Sequence, residues 1–191
     1  MPDMTEIGVV VLLIVMVVFG LALNRPSTLL VSRSAVIAAS PPVLFELLSD
    51  FRNWNKWLPA HQRLPPVAEG SSEEGFKSAG ISPDGQTLKD WWGQMNMTVA
   101  IHPSRLVLLV QIVSRISSGI PKGDQFQLEF LFVPENSLTR VVCTITKSQG
   151  FRGRVEDLLI GSDRKLGRGI EDVFRQLETT ALKMAESGAS Q

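Results

Sequence analysis

Apolar and polar residues alternate in three different rhythms along this chain, and each rhythm predicts a different kind of element. The first is no alternation at all. Ile7 to Leu23 reads IGVVVLLIVMVVFGLAL, without a charge or a proline and with only two glycines. At about 1.5 Å per residue the run makes a helix of roughly 25 Å, enough for a hydrocarbon core. It has no polar stripe, which argues against a helix buried in a soluble core. A cleavable signal peptide would need a basic leading segment, whereas MPDMTE carries Asp3 and Glu6 and no Lys or Arg. The run is therefore expected to be a membrane span.

The second rhythm has period two and recurs through the middle of the chain. Leu29 to Ala38 reads as a strand. Ser40 then stands as an N-cap before Pro41 and Pro42, where a missing N–H costs a helix nothing. Val43, Leu44, Leu47 and Leu48 give that helix an apolar face, and a second short helix carries Phe51, Trp54 and Trp57 up to Pro59. Arg63 to Ser72 reads as loop. Strands are expected over Phe76 to Ile81, Leu88 to Gln94, Met97 to Ile101 and Leu106 to Val113, with turns at Pro83-Asp84-Gly85 and His102-Pro103-Ser104. The clearest alternation is Phe126, Leu128, Phe130 and Phe132 against Gln125, Gln127 and Glu129. After Pro134 to Ser137, Arg140 to Thr146 places Val141, Cys143 and Ile145 on one face. Short turns between successive strands imply antiparallel pairing.

The third rhythm has spacings of three and four. From Asp163 to Ala185 it runs through Leu166, Ile170, Val173, Phe174, Leu177, Ala181 and Met184, with Arg168, Glu171, Arg175 and Glu178 opposite. This predicts one long amphipathic helix. Between it and the last strand, Gly150 to Gly161 reads either as a short amphipathic piece able to lie on a bilayer or gate a cavity, or as a loop with a helical turn packed on the sheet. A curved antiparallel sheet whose apolar face is covered by the long helix follows, an α+β architecture.

Composition narrows the picture. Some 165 residues after the span suffice for one domain, and formal charge balances over the chain, with none of the concentrated basic stripe a nucleic-acid binder needs. The expected organisation is an anchor over 1–25, one domain over 26–186 and a short flexible tail over 187–191. Arg25 and Arg33 follow the span, which by the positive-inside rule puts the domain in the cytoplasm. Cys143 is the only cysteine, consistent with a reducing compartment. The pattern suits a bacterial inner-membrane protein.

Candidate chemistry is sparse. His61 and His102 stand far apart with no metal-binding spacing, so neither a metal nor a cofactor is expected. Cys143 shares its face with Val141 and Ile145, which predicts a buried, protonated and inert thiol. Asp90 or Gln94 is the candidate for acid–base work, Glu129 is expected to face water, and tyrosine is absent.

The element order resembles the helix-grip layout of the START-like superfamily, also called SRPBCC. The opening VSRSAVIAASPPVLFELLSDFRNWNKWLP and the closing SDRKLGRGIEDVFRQLETTALK are similar to its polyketide cyclase/dehydrase and lipid-transport branch. The resemblance covers Val31 to Met184. It implies a hydrophobic or amphipathic ligand held between sheet and long helix, with no universal catalytic residue to carry over. Trp92, Met97, Phe126, Phe130 and Phe174 are the residues expected to line such a pocket, although each could equally fill a core. Trp54 and Trp57 are expected to brace the short helices. Three functions remain open: a membrane-tethered module binding a lipid or other hydrophobic molecule, a cyclase- or dehydratase-like enzyme, and a partner-binding module with a vestigial cavity.

Overall fold

The computed structural model describes residues 4–58, 64, 80–90, 93–112 and 125–188. Helix α1 (Met4–Asn24) contains the continuous apolar run and is the one helix among the described residues long and apolar enough to cross a membrane. The domain does not bury it. Its side chains point outward along nearly its whole length, and only Ala22 is enclosed. A helix serving as core would show the reverse.

Seven strands follow in one antiparallel sheet: β1 (Thr28–Ile37), β2 (Gly80–Ile81), β3 (Thr87–Asp90), β4 (Gly93–Ile101), β5 (Arg105–Ile112), β6 (Gln125–Glu135) and β7 (Leu138–Ser148). Their spatial order is β1-β7-β6-β5-β4-β3-β2. Thus β1 leaps across the domain to pair with β7, while the remaining strands are simple sequential neighbours. Two short helices, α2 (Pro41–Leu48) and α3 (Phe51–Trp54), follow β1. Helices α4 (Phe151–Ile160) and α5 (Ser162–Gly188) follow β7.

Local chemistry explains the short helices. Ser40 is extended, with φ −75° and ψ 152°, and Pro41 and Pro42 open α2. Its hydroxyl makes no cap bond. The two prolines remove two of the N–H groups that a cap would otherwise satisfy. At the other end of α2 the indoles of Trp54 and Trp57 donate to the carbonyls of Leu48 and Leu47, at 3.0 and 3.2 Å. Those carbonyls lie in the helix's last turn, where no intrahelical donor remains. Regular helix in α3 ends at Trp54, so Trp57 belongs to the following turn rather than to the helix expected to reach Pro59. Asp50 caps α3, accepting from the Arg52 N–H at 2.8 Å.

One strand was legible in the sequence only with the wrong boundaries. Leu88 to Gln94 is not continuous: the chain reverses after Asp90, and Gly93 opens β4, which then runs unbroken to Ile101. The reversal puts Asp90 and Gln94 on opposite faces. Gln94 lies outside, donating to Asn96 at 2.8 Å. Asp90 alternates with buried Leu88 and so belongs to the inner face. Further along, α4 is a ten-residue helix packed against α1 and α5, not a loop against the sheet. The tail expected from residue 187 begins inside α5, which reaches Gly188.

The inner face carries the core, in which Phe130, Phe132, Leu106, Leu108, Val141 and Cys143 meet Leu44 and Leu48 of α2 and Ile170, Phe174 and Leu177 of α5. Met184 falls outside this stripe at 45% exposure. The outer face is wetter. There Ser32 and Thr144 share a hydroxyl hydrogen bond of 3.1 Å, and Arg105 donates to Glu129 at 2.6 Å. Helix α5 is fastened to edge strand β1 by Arg33, whose guanidinium faces Asp163 at 3.5 Å and Glu171 at 3.4 Å. Gly167, midway between those acids, makes room for it: a Cβ there would stand 2.8 Å from Arg33 Cζ.

Candidate functional site: the inner face nearest α1

Strand register sorts the inner face into rows that cross the sheet. The row next to α1 contains Leu29, Lys147, Phe126, Val110, Met95 and Leu88, each directly opposite the next. The second row contains Val31, Ile145, Leu128, Leu108 and Met97. Farther from α1 come Arg33, Cys143, Phe130 and Leu106, then Ala35, Val141 and Phe132.

Burial differs along these rows. Where α2 covers the sheet, far from α1, Phe130 and Phe132 are sealed. In the two rows nearest α1, Leu29, Phe126, Met95, Leu128 and Met97 are only half-buried and pack on the core, beside sealed Val31, Ile145, Leu108, Val110 and Leu88. Apolar side chains that are neither sealed nor in open water mark the part of a core that an apolar ligand can complete.

The structure divides the expected pocket residues accordingly. Met97 and Phe126 are half-buried members of the two rows nearest α1. Phe130 (2% exposed) and Phe174 (4%) lie in the sealed core, and all four belong to one cluster. Trp92 lies outside the described residues, as do Trp91 and His61. Sequence reasoning passed over Met95 because it ended one strand at Gln94 and began the next at Met97, leaving Met95 between them, whereas β4 is continuous from Gly93 to Ile101. It also passed over Lys147, although the odd-numbered run Val141, Cys143, Ile145 points straight to it. Lys147 and Asp90 are half-buried polar groups at this same end.

Little here resembles a reaction centre. Burial pushes the Cys143 thiol up to about 12, so it is protonated at neutral pH. Among the described residues no group of three or more His, Cys, Asp or Glu side chains is placed to hold a metal. His102 lies in the β4–β5 turn with its ring edge-on to Phe45, at 5.0 Å between centroids. The carboxyls held below their usual range lie where α3 meets the β2–β3 hairpin. Asp50 is lowered chiefly by the side-chain hydrogen bond from Arg52, and Asp84 by the Ser82 hydroxyl.

A sheet in this order, gripped across its inner face by a long C-terminal helix, is the helix-grip fold of START-like proteins. Residues 28–105 match the family model for polyketide cyclase / dehydrase and lipid transport, in keeping with the fold. No curated protein matches the sequence. Solved structures share the fold at low identity. A protein from Mesorhizobium loti is 12% identical with a TM-score of 0.51, over 82% of this chain and 97% of that one. A protein from Arthrobacter aurescens is 17% identical with a TM-score of 0.51, over 81% and 87%. DynU16, a protein of the dynemicin biosynthetic locus, is 13% identical with a TM-score of 0.50 over 81% of this chain, which spans 47% of it.

Proposed function

We propose that this protein is a membrane-anchored START-like domain that binds a lipid or another hydrophobic small molecule along the anchor-proximal inner face. One observation carries the reading: five apolar side chains of the two rows nearest α1 are only half-buried, whereas Phe130 and Phe132, far from α1, are sealed. In the proposed complex the ligand's apolar body lies against Met95, Met97, Phe126 and Leu128, and its polar end lies near Lys147 and Asp90. Helix α1 crosses the bilayer with the domain on the cytoplasmic side, the side on which Arg25 and Arg33 follow the span. Tethering keeps the site at high local concentration beside a membrane, so weak intrinsic lipid affinity suffices.

The test is native mass spectrometry of the detergent-solubilised full chain, followed by organic extraction. A co-purifying apolar molecule is expected, lost in Phe126→Glu and retained in Leu131→Glu on the outer face. Phe130→Ala is a poor probe, because removing a sealed aromatic costs about 3–5 kcal/mol of stability. A clean apo mass together with no uptake from a lipid panel would refute the binding reading. A second reading, a cyclase- or dehydratase-like enzyme, draws on one feature, the inner-face position of Asp90. It requires that Asp90→Asn abolish turnover while leaving ligand retention intact.

A further inference from the structure

Helix α4 is joined to α1 by contacts that change character with depth. The Phe151 ring meets the Phe19 ring at 4.9 Å between centroids. One turn of α4 further on, the Arg154 guanidinium reaches the carbonyls of Leu23 and Arg25 at the end of α1, both at 3.4 Å. Beyond that, Asp157 faces Arg25 at 3.9 Å. The contact is close enough that Ala22 is fully enclosed and the Arg154 Nε is buried. The order is therefore aromatic, then cationic, then an ion pair, read outward along the anchor.

We propose that α4 lies in the interface of the bilayer that α1 spans, with Phe151 inserted just inside the hydrocarbon boundary and Arg154 at headgroup level. The inference rests on reading α1 as a membrane span. A 21-residue helix is about 31 Å long, close to the thickness of the hydrocarbon core, so its last residues mark the boundary. Phe19 sits five residues before Asn24, roughly 8 Å deeper along the axis. The Phe151 ring packed against it at a tilt shares that depth and remains 38% exposed, which in a bilayer means exposed to lipid. Aromatic rings and arginines occupy these two depths in interfacial helices. The occupant of the exposed α4 face is thus the lipid surface itself, continuous with the lipid around α1.

Depth-dependent quenching tests this in full-length protein reconstituted into phosphatidylcholine–phosphatidylglycerol vesicles. An environment-sensitive fluorophore goes on Gly150→Cys, where an added Cβ meets nothing within 4 Å. Native Cys143 is buried and protonated and stays unlabelled. Reference reporters are Ile14→Cys in mid-span and Val36→Cys at the far end of β1. With nitroxide lipids labelled near the headgroup, the Gly150 reporter is expected to be quenched several-fold more than the Val36 reporter. Adding Phe151→Asp is expected to lower that quenching while the Ile14 reporter stays quenched by deep nitroxides. An unquenched Gly150 reporter beside a quenched Ile14 reporter would overturn the inference and leave the anchor standing. An unquenched Ile14 reporter would overturn the anchor and the inference with it.

Discussion

Replacing Gly85 with alanine is expected to loosen the β2–β3 hairpin from α3 at a cost that the geometry allows to be worked out. Gly85 has φ +75°, a left-handed conformation that costs a residue with a Cβ about 1–2 kcal/mol. The new methyl would also stand 2.6 Å from Asp50 Cγ, and closer still to Oδ1. The backbone cannot simply recoil, because the Gly85 carbonyl accepts from the Phe51 N–H at 3.0 Å. The Asp50 carboxylate must swing aside instead. That gives up its cap on the Arg52 N–H, a loss of about 1 kcal/mol. Gly85→Ala should therefore cost about 2–3 kcal/mol in all, the sum of the left-handed strain and the lost cap. Urea unfolding of the full chain in mild detergent, followed by the fluorescence of buried Trp54 and Trp57, measures it. The cap term must vanish when the cap is already gone, so in an Asp50→Ala background the same substitution should cost about 1 kcal/mol less. Full additivity of the two changes, or a single-mutant loss below about 1 kcal/mol, would refute this reasoning.

Two further outcomes follow from the same region. Trp57→Phe keeps the aromatic bulk but removes the donor to the Leu47 carbonyl, and a loss of about 1–2 kcal/mol in the same assay is expected; no loss would mean that the carbonyl finds another donor. The Asp50 and Asp84 carboxyls both titrate below their ordinary range in the folded state. Their stabilising effect is thus complete above the unfolded value, near pH 4, and is lost as pH falls through the lower folded values. Stability measured against pH should decline below about pH 4, and Asp50→Asn should be less stable at neutral pH and show a shallower acid decline.

The α+β architecture was legible because two periodicities are nearly undisturbed. The phenylalanine alternation of β6 and the three-and-four spacing of α5 each leave one apolar face, and one face must cover the other. The site was less legible, for reasons that can be named. Parity in β3 and β4 depends on Asp90 pairing with Gly93, which no proline or asparagine–glycine pair announces, so Asp90 and Gln94 read as neighbours on one face. Phe130 and Phe126 are indistinguishable by alternation. What separates them is the reach of α2 over the sheet, a tertiary fact with no local signal. Helix α4 was one of two readings of its segment, and its partner α1 lies more than a hundred residues earlier in the chain, where no local pattern points to it.

Only Arg25, Pro26 and Ser27 separate α1 from β1. Even fully extended they span about 11 Å, and they are not slack, since the Gln149 N–H donates to the Ser27 carbonyl at 2.6 Å. With α1 in a bilayer, such a leash rules out ferrying. The domain cannot swing out to an apposed membrane or follow cargo into solution; whatever it takes up comes from, and returns to, the leaflet beneath it or a visitor that docks there. Lengthening this linker with a flexible insert would be the simplest way to turn a stationary module into a mobile one.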